Sequence, residues 1–165
     1  MAKKRKDHVG TPATVALDRA GVSYTVHSYE HDPAASSYGL EAAAALGLDP
    51  ACVLKTLLAD VDGALVVAVV PVAGQLDLKG LAAAAGGKRA TLADPALAER
   101  ATGYVVGGIS PFGQKRRHPA VVDRSALDFP VVYVSAGRRG VDLGVAPEDL
   151  VRLLEATTAG IGRPR

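Results

Sequence analysis

The stretch VLKTLLADVDGALVVAVVPV, residues 53–72, decides the fold. Two apolar, β-branched runs, Val53 to Ala59 and Ala64 to Val72, flank Asp62-Gly63. Asp-Gly supplies the positive backbone angles that a tight hairpin turn demands, so the pair reads as two antiparallel strands. Strand alternation places Lys55 on the same face as Val53 and Leu57, an ammonium beside apolar surface. Either it is an edge-strand lysine that discourages aggregation, or it is a cation that meets an anionic or carbonyl group of a ligand.

Outward from this hairpin, helices and strands alternate. Thr11-Pro12 is an N-cap followed by proline at the first helical position, with Gly21 ending a helix over Ala13–Ala20. Val22, Tyr24 and Val26 alternate as a half-buried strand. A loop at Asp32-Pro33 leads to a helix over Leu40–Leu46 that Gly47 closes. Asp77 caps a helix through Ala85, and Asp94-Pro95 starts another that stops before Gly103. Strands are expected at Ala120–Asp123, Val131–Ser135 and Val141–Val145, then an amphipathic helix over Pro147–Thr158. The pattern is α+β: a mixed sheet of about six or seven strands with helices around it.

A chain of 165 residues, 48% hydrophobic and 22% charged, suits one domain, expected over 11–158 between a basic tail at 1–10 and a short tail at 159–165. The net charge is +2, yet six of the nineteen basic residues lie at the two ends. The body therefore holds thirteen against seventeen acids, about −4. Against that acidic background, Lys115, Arg116, Arg117, Arg138 and Arg139 form local basic clusters of the kind that contact phosphates. The longest apolar run, Ala64–Ala73, contains a proline and is too short to cross a bilayer. No apolar signal core follows the basic start, so the expected compartment is the cytoplasm, with no membrane contact. Cys52, the single cysteine, reads as a packing residue.

The segment GYVVGGISPFGQKRRHP, residues 103–119, carries the clearest site signal. Tyr104 to Val106 favour a strand, Gly107 and Gly108 let another molecule approach the backbone, and Pro111 braces the turn. Exposed peptide N–H groups there would hold an anion or a polarised carbonyl oxygen. A plain hairpin turn with a solvated charge run fits the same letters. Proline directly after Ser110 removes the N–H that a nucleophile elbow needs, which disfavours a Ser-His-Asp hydrolase. His27 and His31 share no helix face and have no cysteine pair beside them, so no metal site is expected. No phosphate-loop or dinucleotide glycine pattern occurs, and no cofactor is expected.

Taken in order, HSYEHDP from His27, the VLKTLL segment around Lys55, VAGQLDLK from Val72, GYVVGGISPFGQKRR and YVSAGRRGVDL from Tyr133 resemble the YbaK/EbsC type of Cys-tRNA(Pro) deacylase over about residues 11–158. These are free-standing relatives of the editing domain of bacterial prolyl-tRNA synthetases. The resemblance implies a mixed, partly barrel-like sheet around one small pocket. It implies that Lys55 is the lysine needed for activity, through the terminal adenosine's phosphate or the ester. Gly107 and Gly108 match the turn whose amides contact the ester carbonyl or terminal ribose. Tyr29, Ser135 and Asp142 match pocket positions, Asp142 suiting the α-ammonium or ribose hydroxyls; Tyr38, Thr56, Ile109, Ser110 and Pro111 are expected beside the substrate. Tyr38 stands where relatives carry phenylalanine, Ala136 where they carry glycine, and Arg138 where they carry lysine.

The same resemblance implies that the cysteinyl thiol attacks its own ester, giving a cyclic thiolactone and free tRNA. The enzyme then supplies orientation and electrostatics rather than a nucleophile. Cys-tRNA(Cys) is a further expected substrate, and prolyl-tRNA synthetase an expected partner, because the acidic body has little surface for gripping a whole tRNA. Two other readings stand beside it: editing of another mischarged tRNA such as Ala-tRNA(Pro), and a non-catalytic module that binds aminoacyl-tRNA or nucleotide ends.

Overall fold

A computed structural model describes residues 10–164. The expected basic tail at 1–10 thus lies, but for Gly10, outside the described residues. The Asp62-Gly63 turn forms as predicted, with φ of 51° and 93° at its two central residues. It joins β2 (Leu54–Val61) to β3 (Ala64–Pro71) in an eight-residue antiparallel register from Leu54↔Pro71 to Val61↔Ala64. Around this hairpin a five-stranded sheet assembles. β5 (Ala90–Leu92) pairs antiparallel with β2, while β6 (Ala120–Asp123) and β9 (Thr157–Ala159) follow β3 in parallel, in the order β5-β2-β3-β6-β9.

A second, antiparallel sheet holds β1 (Thr25–Ser28), β8 (Val141–Val145) and β7 (Val132–Ser135), with β8 in the middle. A third pairs β4 (Gly74–Leu76) with β10 (Gly162–Pro164). A single parallel bridge, Val53 to Tyr133, joins the first two sheets. The strands therefore do not form the one partly barrel-like sheet expected. Ten strands occur among the described residues, divided among three sheets, and none closes on itself.

Alternation along β3 divides the core. Val67 and Val69 face a large cluster with Leu54 and Leu58, beneath α1 (Pro12–Arg19), α4 (Pro95–Thr102) and α5 (Pro147–Leu154). Val66, Ala68 and Val70 face a smaller cluster under α3 (Leu78–Ala84), completed by Ile161. A third cluster, Ala43, Val53 and Val72, lies under α2 (Tyr38–Leu46). The helix ends obey their capping chemistry. Thr11 Oγ1 accepts from Thr14 N and Asp77 Oδ1 from Gly80 N, while Gly47 and Gly103 close α2 and α4 in left-handed conformations.

Two expectations are corrected. The final helix stops at Leu154, because Glu155 turns left-handed (φ 49°) and releases the chain into β9. Residues 159–164 are not a tail, since Ile161 is fully buried and β10 pairs with β4. Asp123 holds this end in place by accepting from Ile161 N at 2.9 Å and Gly162 N at 2.8 Å. Burial works against its charge, but these bonds and those from Ser125 outweigh it and hold the carboxyl below its ordinary range. Cys52 is buried, with Sγ 3.2 Å from the Asp49 carbonyl, and burial pushes its thiol up. No helix among the described residues is long and apolar enough to cross a membrane.

Candidate functional site

β2 is interior to its sheet, yet β5 covers its outer edge only over Ala59–Val61. Ala93 N also donates to the Leu58 carbonyl at 2.9 Å, so residues 54–57 have a strand partner on one side only, and on the other a cavity of about 530 Å³ opens against them. Its walls are the edge of β2, the Tyr29–Ala42 loop and helix, the start of α4, the Val106–Ile109 turn, and Ser135 with Asp142 from the antiparallel sheet.

Of the residues singled out from sequence, Lys55, Thr56, Tyr29, Tyr38, Gly107, Ile109, Ser135 and Asp142 all line this one cavity. Lys55 Nζ donates to the Gly74 carbonyl at 3.0 Å, which extends the side chain along the apolar face that alternation predicts. The Thr56 hydroxyl is buried without a hydrogen-bond partner among the described residues, an uncompensated cost that a ligand group would relieve. Ser135 and Asp142 face each other across β7 and β8, and Ser135 Oγ accepts from Gly137 N at 3.1 Å.

Asp142 is 6% exposed, and burial pushes its carboxyl up to about 6. It is therefore mostly ionised at neutral pH, but held as an expensive charge with strong attraction for a cation. Tyr29 is pushed up to about 12 by burial, with the Asp142 carboxylate adding to the effect, so its phenol remains a donor. Lys55 and Asp142 thus give the cavity one positive and one negative side chain.

The glycine turn differs from expectation. Residues 104–106 are not a strand. Tyr104 is buried with its hydroxyl donating to the Phe112 carbonyl at 2.7 Å, and the Glu99 carboxylate takes the Val106 N–H at 2.8 Å. Gly108 N donates to Val105 O at 2.9 Å, so its amide is consumed inside the turn. A Cβ on Gly108 would fall 2.8 Å from Arg138 Cα, so this glycine admits a neighbouring loop rather than a ligand. Among the described residues, no protein group takes the Gly107 N–H, and Gly107 has the positive φ, +89°, that favours glycine.

Ser110 and Pro111 do not reach the cavity. Ser110 is fully buried and accepts from Phe112 N at 3.2 Å. Pro111 instead lines a separate hollow of about 330 Å³ together with Arg116, Arg117 and His118. Lys115 and Arg116 are exposed, and Arg117 is paired with Glu155 at 2.7 Å. Arg138 is exposed beside the turn, whereas Arg139 is engaged by it.

Sequence reading missed the apolar wall supplied by Leu92, Ala93, Pro95 and Ala98. Leu92 is 57% exposed, and an unburied leucine on a three-residue strand carries no local signal. The two histidines weighed as metal ligands are occupied separately: His27 contacts Thr25 Oγ1 at 2.7 Å, and His31 pairs with Glu41 at 2.7 Å. No three His, Cys, Asp or Glu side chains converge among the described residues. None of the cavity-lining residues is histidine or cysteine, so no hydroxyl–imidazole or thiol–imidazole pair faces a ligand there.

Comparison with known proteins finds relatives along nearly the whole chain. A family profile for the aminoacyl-tRNA editing domain matches residues 32–153. The chain is 35% identical over 164 residues to EbsC of Enterococcus faecalis, a proposed Cys-tRNA(Pro)/Cys-tRNA(Cys) deacylase, covering 98% of each chain. Its fold superposes on the crystal structure of a proposed trans-editing enzyme for prolyl-tRNA synthetase with a TM-score of 0.81 and 25% identity, over 94% of this chain and 99% of that one. It also superposes on the hypothetical protein APE2540 with a TM-score of 0.83 and 27% identity, over 93% and 100%.

Proposed function

Because the chain belongs to the aminoacyl-tRNA editing domain family, we propose that this trans-editing deacylase removes cysteine from mischarged Cys-tRNA(Pro), and from Cys-tRNA(Cys) as a second substrate. One observation carries the reading. A closely lined cavity presents an ammonium, a buried carboxylate and a glycine turn to a ligand, but no thiol and no imidazole among its lining residues. Such a site suits a substrate that brings its own nucleophile.

In this reading the substrate α-ammonium meets Asp142 and Tyr29. The ester carbonyl takes the Gly107 N–H, and Lys55 meets the terminal phosphate or the ester. The cysteinyl sulfur attacks its own carbonyl carbon; the C–S bond forms as the bond to the ribose oxygen breaks. The thiol proton passes to that oxygen, leaving a four-membered thiolactone and tRNA with its terminal hydroxyls intact. Holding sulfur and carbonyl in an attack geometry is the enzyme's main contribution. Alanine has no thiol, so discrimination does not rest on the small energy that a pocket derives from one side-chain group. Lys115, Arg116 and Arg138 are exposed and suit phosphate contact, and the acidic body favours delivery of the tRNA by prolyl-tRNA synthetase.

Deacylation of Cys-tRNA(Pro), Ala-tRNA(Pro) and Pro-tRNA(Pro) by wild type and Lys55→Ala, with and without prolyl-tRNA synthetase, tests this. Release of cysteine alone, lowered at least about a hundredfold by the substitution, is expected for loss of a transition-state cation. Release of alanine in its place moves the assignment to the sister specificity. No turnover of any ester, with binding retained by Lys55→Ala, identifies a binding module instead.

A further inference from the structure

Arg139 belongs to a basic cluster that the sequence offers to phosphate, yet its guanidinium is committed within the protein. Nε and Nη2 both donate to the Val106 carbonyl, at 3.0 and 2.6 Å. The guanidinium carbon lies 4.7 Å from the centre of the Tyr38 ring, within cation–π range. Tyr38 is in turn 5.7 Å from the His31 ring, and His31 is tied to Glu41 on α2. One side chain therefore joins the 136–140 loop, the start of α2 and the glycine turn. The fit is close: a Cβ on Gly107 would lie 2.8 Å from the Tyr38 ring and 2.9 Å from Arg139 Nε.

Tyr38, Val106 and Gly107 line the cavity; Arg139 does not. The Val106 carbonyl and the Gly107 N–H belong to one planar trans peptide unit, in which they point in opposite directions. Gripping the oxygen from outside therefore fixes the direction of the N–H. A charge-assisted bond to the oxygen also polarises the unit and strengthens the N–H as a donor.

We propose that Arg139 is a positioning residue that holds the Val106–Gly107 peptide with its N–H aimed into the cavity, rather than a contact to tRNA phosphate. The inference rests on the deacylase reading for the role of that N–H. It rests on the clasp alone for Arg139's hold on the turn. Lysine in its place offers neither a two-pronged donor nor a flat face to Tyr38, so Arg139→Lys is not a conservative change here.

The test compares wild type, Arg139→Lys and Arg139→Ala in deacylation of Cys-tRNA(Pro) across a salt series, with Lys55→Ala as the inactive reference. The expected result is a fall in kcat of about ten- to a hundredfold for Arg139→Ala. That is less than the hundred- to thousandfold typical of deleting such a donor outright. KM and the slope of log(kcat/KM) against log[salt] stay as in wild type, and Arg139→Lys lies between the two. A raised KM with a shallower salt slope and unchanged kcat would mark a phosphate contact and overturn the proposal. Independently of any substrate, NMR amide exchange should quicken at Gly108, whose N–H bonds to Val105 O within the turn, in Arg139→Ala while the urea midpoint stays within error; unchanged exchange there refutes the clasp. A wild type that turns over no ester defeats the deacylase reading, and the exchange result still decides what Arg139 holds.

Discussion

Replacing Asp142 by asparagine should make the protein more stable and less active. The carboxyl sits at about 6 in the folded protein, against 3.8 for the free side chain, because burial penalises its charge. Between those values the native protein keeps a proton that the unfolded chain has already lost, so this group's contribution to stability falls as pH rises through the window. Above it the full penalty applies, about 2 units at 1.36 kcal/mol each, or ~3 kcal/mol. The asparagine amide carries no charge and escapes the penalty. At pH 7.5 the variant should resist urea better by up to ~3 kcal/mol, or about 6–12 °C in Tm for a chain of this size. At pH 5 roughly half of that gain should remain, and near pH 3.8 little of it. Comparing the two proteins at each pH cancels every other titration they share. Deacylation should fall throughout, since the amide no longer attracts the substrate ammonium. A stability difference that is equal at pH 5 and 7.5, or an asparagine variant less stable at pH 7.5, would refute the reasoning.

Gly107→Ala forces a left-handed residue into a space closed by Tyr38 and Arg139, at about 1–2 kcal/mol for the backbone alone. It should lower kcat/KM more than tenfold below the unfolding transition and lower the urea midpoint by the equivalent of at least that amount, and an active variant would argue against this amide. Asp123→Ala strips the acceptor from Ile161 N and Gly162 N, each unsatisfied donor costing about 1–3 kcal/mol. The expected loss is ~2–4 kcal/mol in urea unfolding, with faster amide exchange at those two residues and unchanged kcat below the unfolding transition.

Much of the fold could be read from local chemistry. Asp62-Gly63, Thr11-Pro12, Asp77, Gly47 and Gly103 each satisfy a turn or cap within a few residues of themselves, Pro95 opens its helix although the Asp94 side chain makes no capping bond, and each forms its expected boundary. The three-residue strands β4, β5, β9 and β10 escaped because only pairing with distant segments makes them strands. Tyr104–Val106 misled for the opposite reason. Its strand-like composition is overruled by one hydroxyl and one carboxylate that occupy its neighbours and its backbone. At the site, Lys55 and Asp142, named through the family resemblance rather than through local chemistry, line one cavity. Ser110 and Pro111 adjoin Gly108 in sequence, but the chain turns inward after Ile109 and carries them out of the cavity. The role of Arg139 was invisible because a carbonyl 33 residues away in the chain defines it.

The outer edge of β2 is covered only in part. A sheet edge with unpaired peptide groups ordinarily invites another chain to add a strand, and proteins blunt such edges with charges, bulges or short lengths. Here residues 54–57 face the cavity instead, while the Leu58 carbonyl is taken by Ala93 N at 2.9 Å. Tyr29, Tyr38, Leu92 and Val106 line the same opening. A ligand seated there would cover peptide groups that no strand pairs, so its binding would also close an edge at which copies of the chain could join.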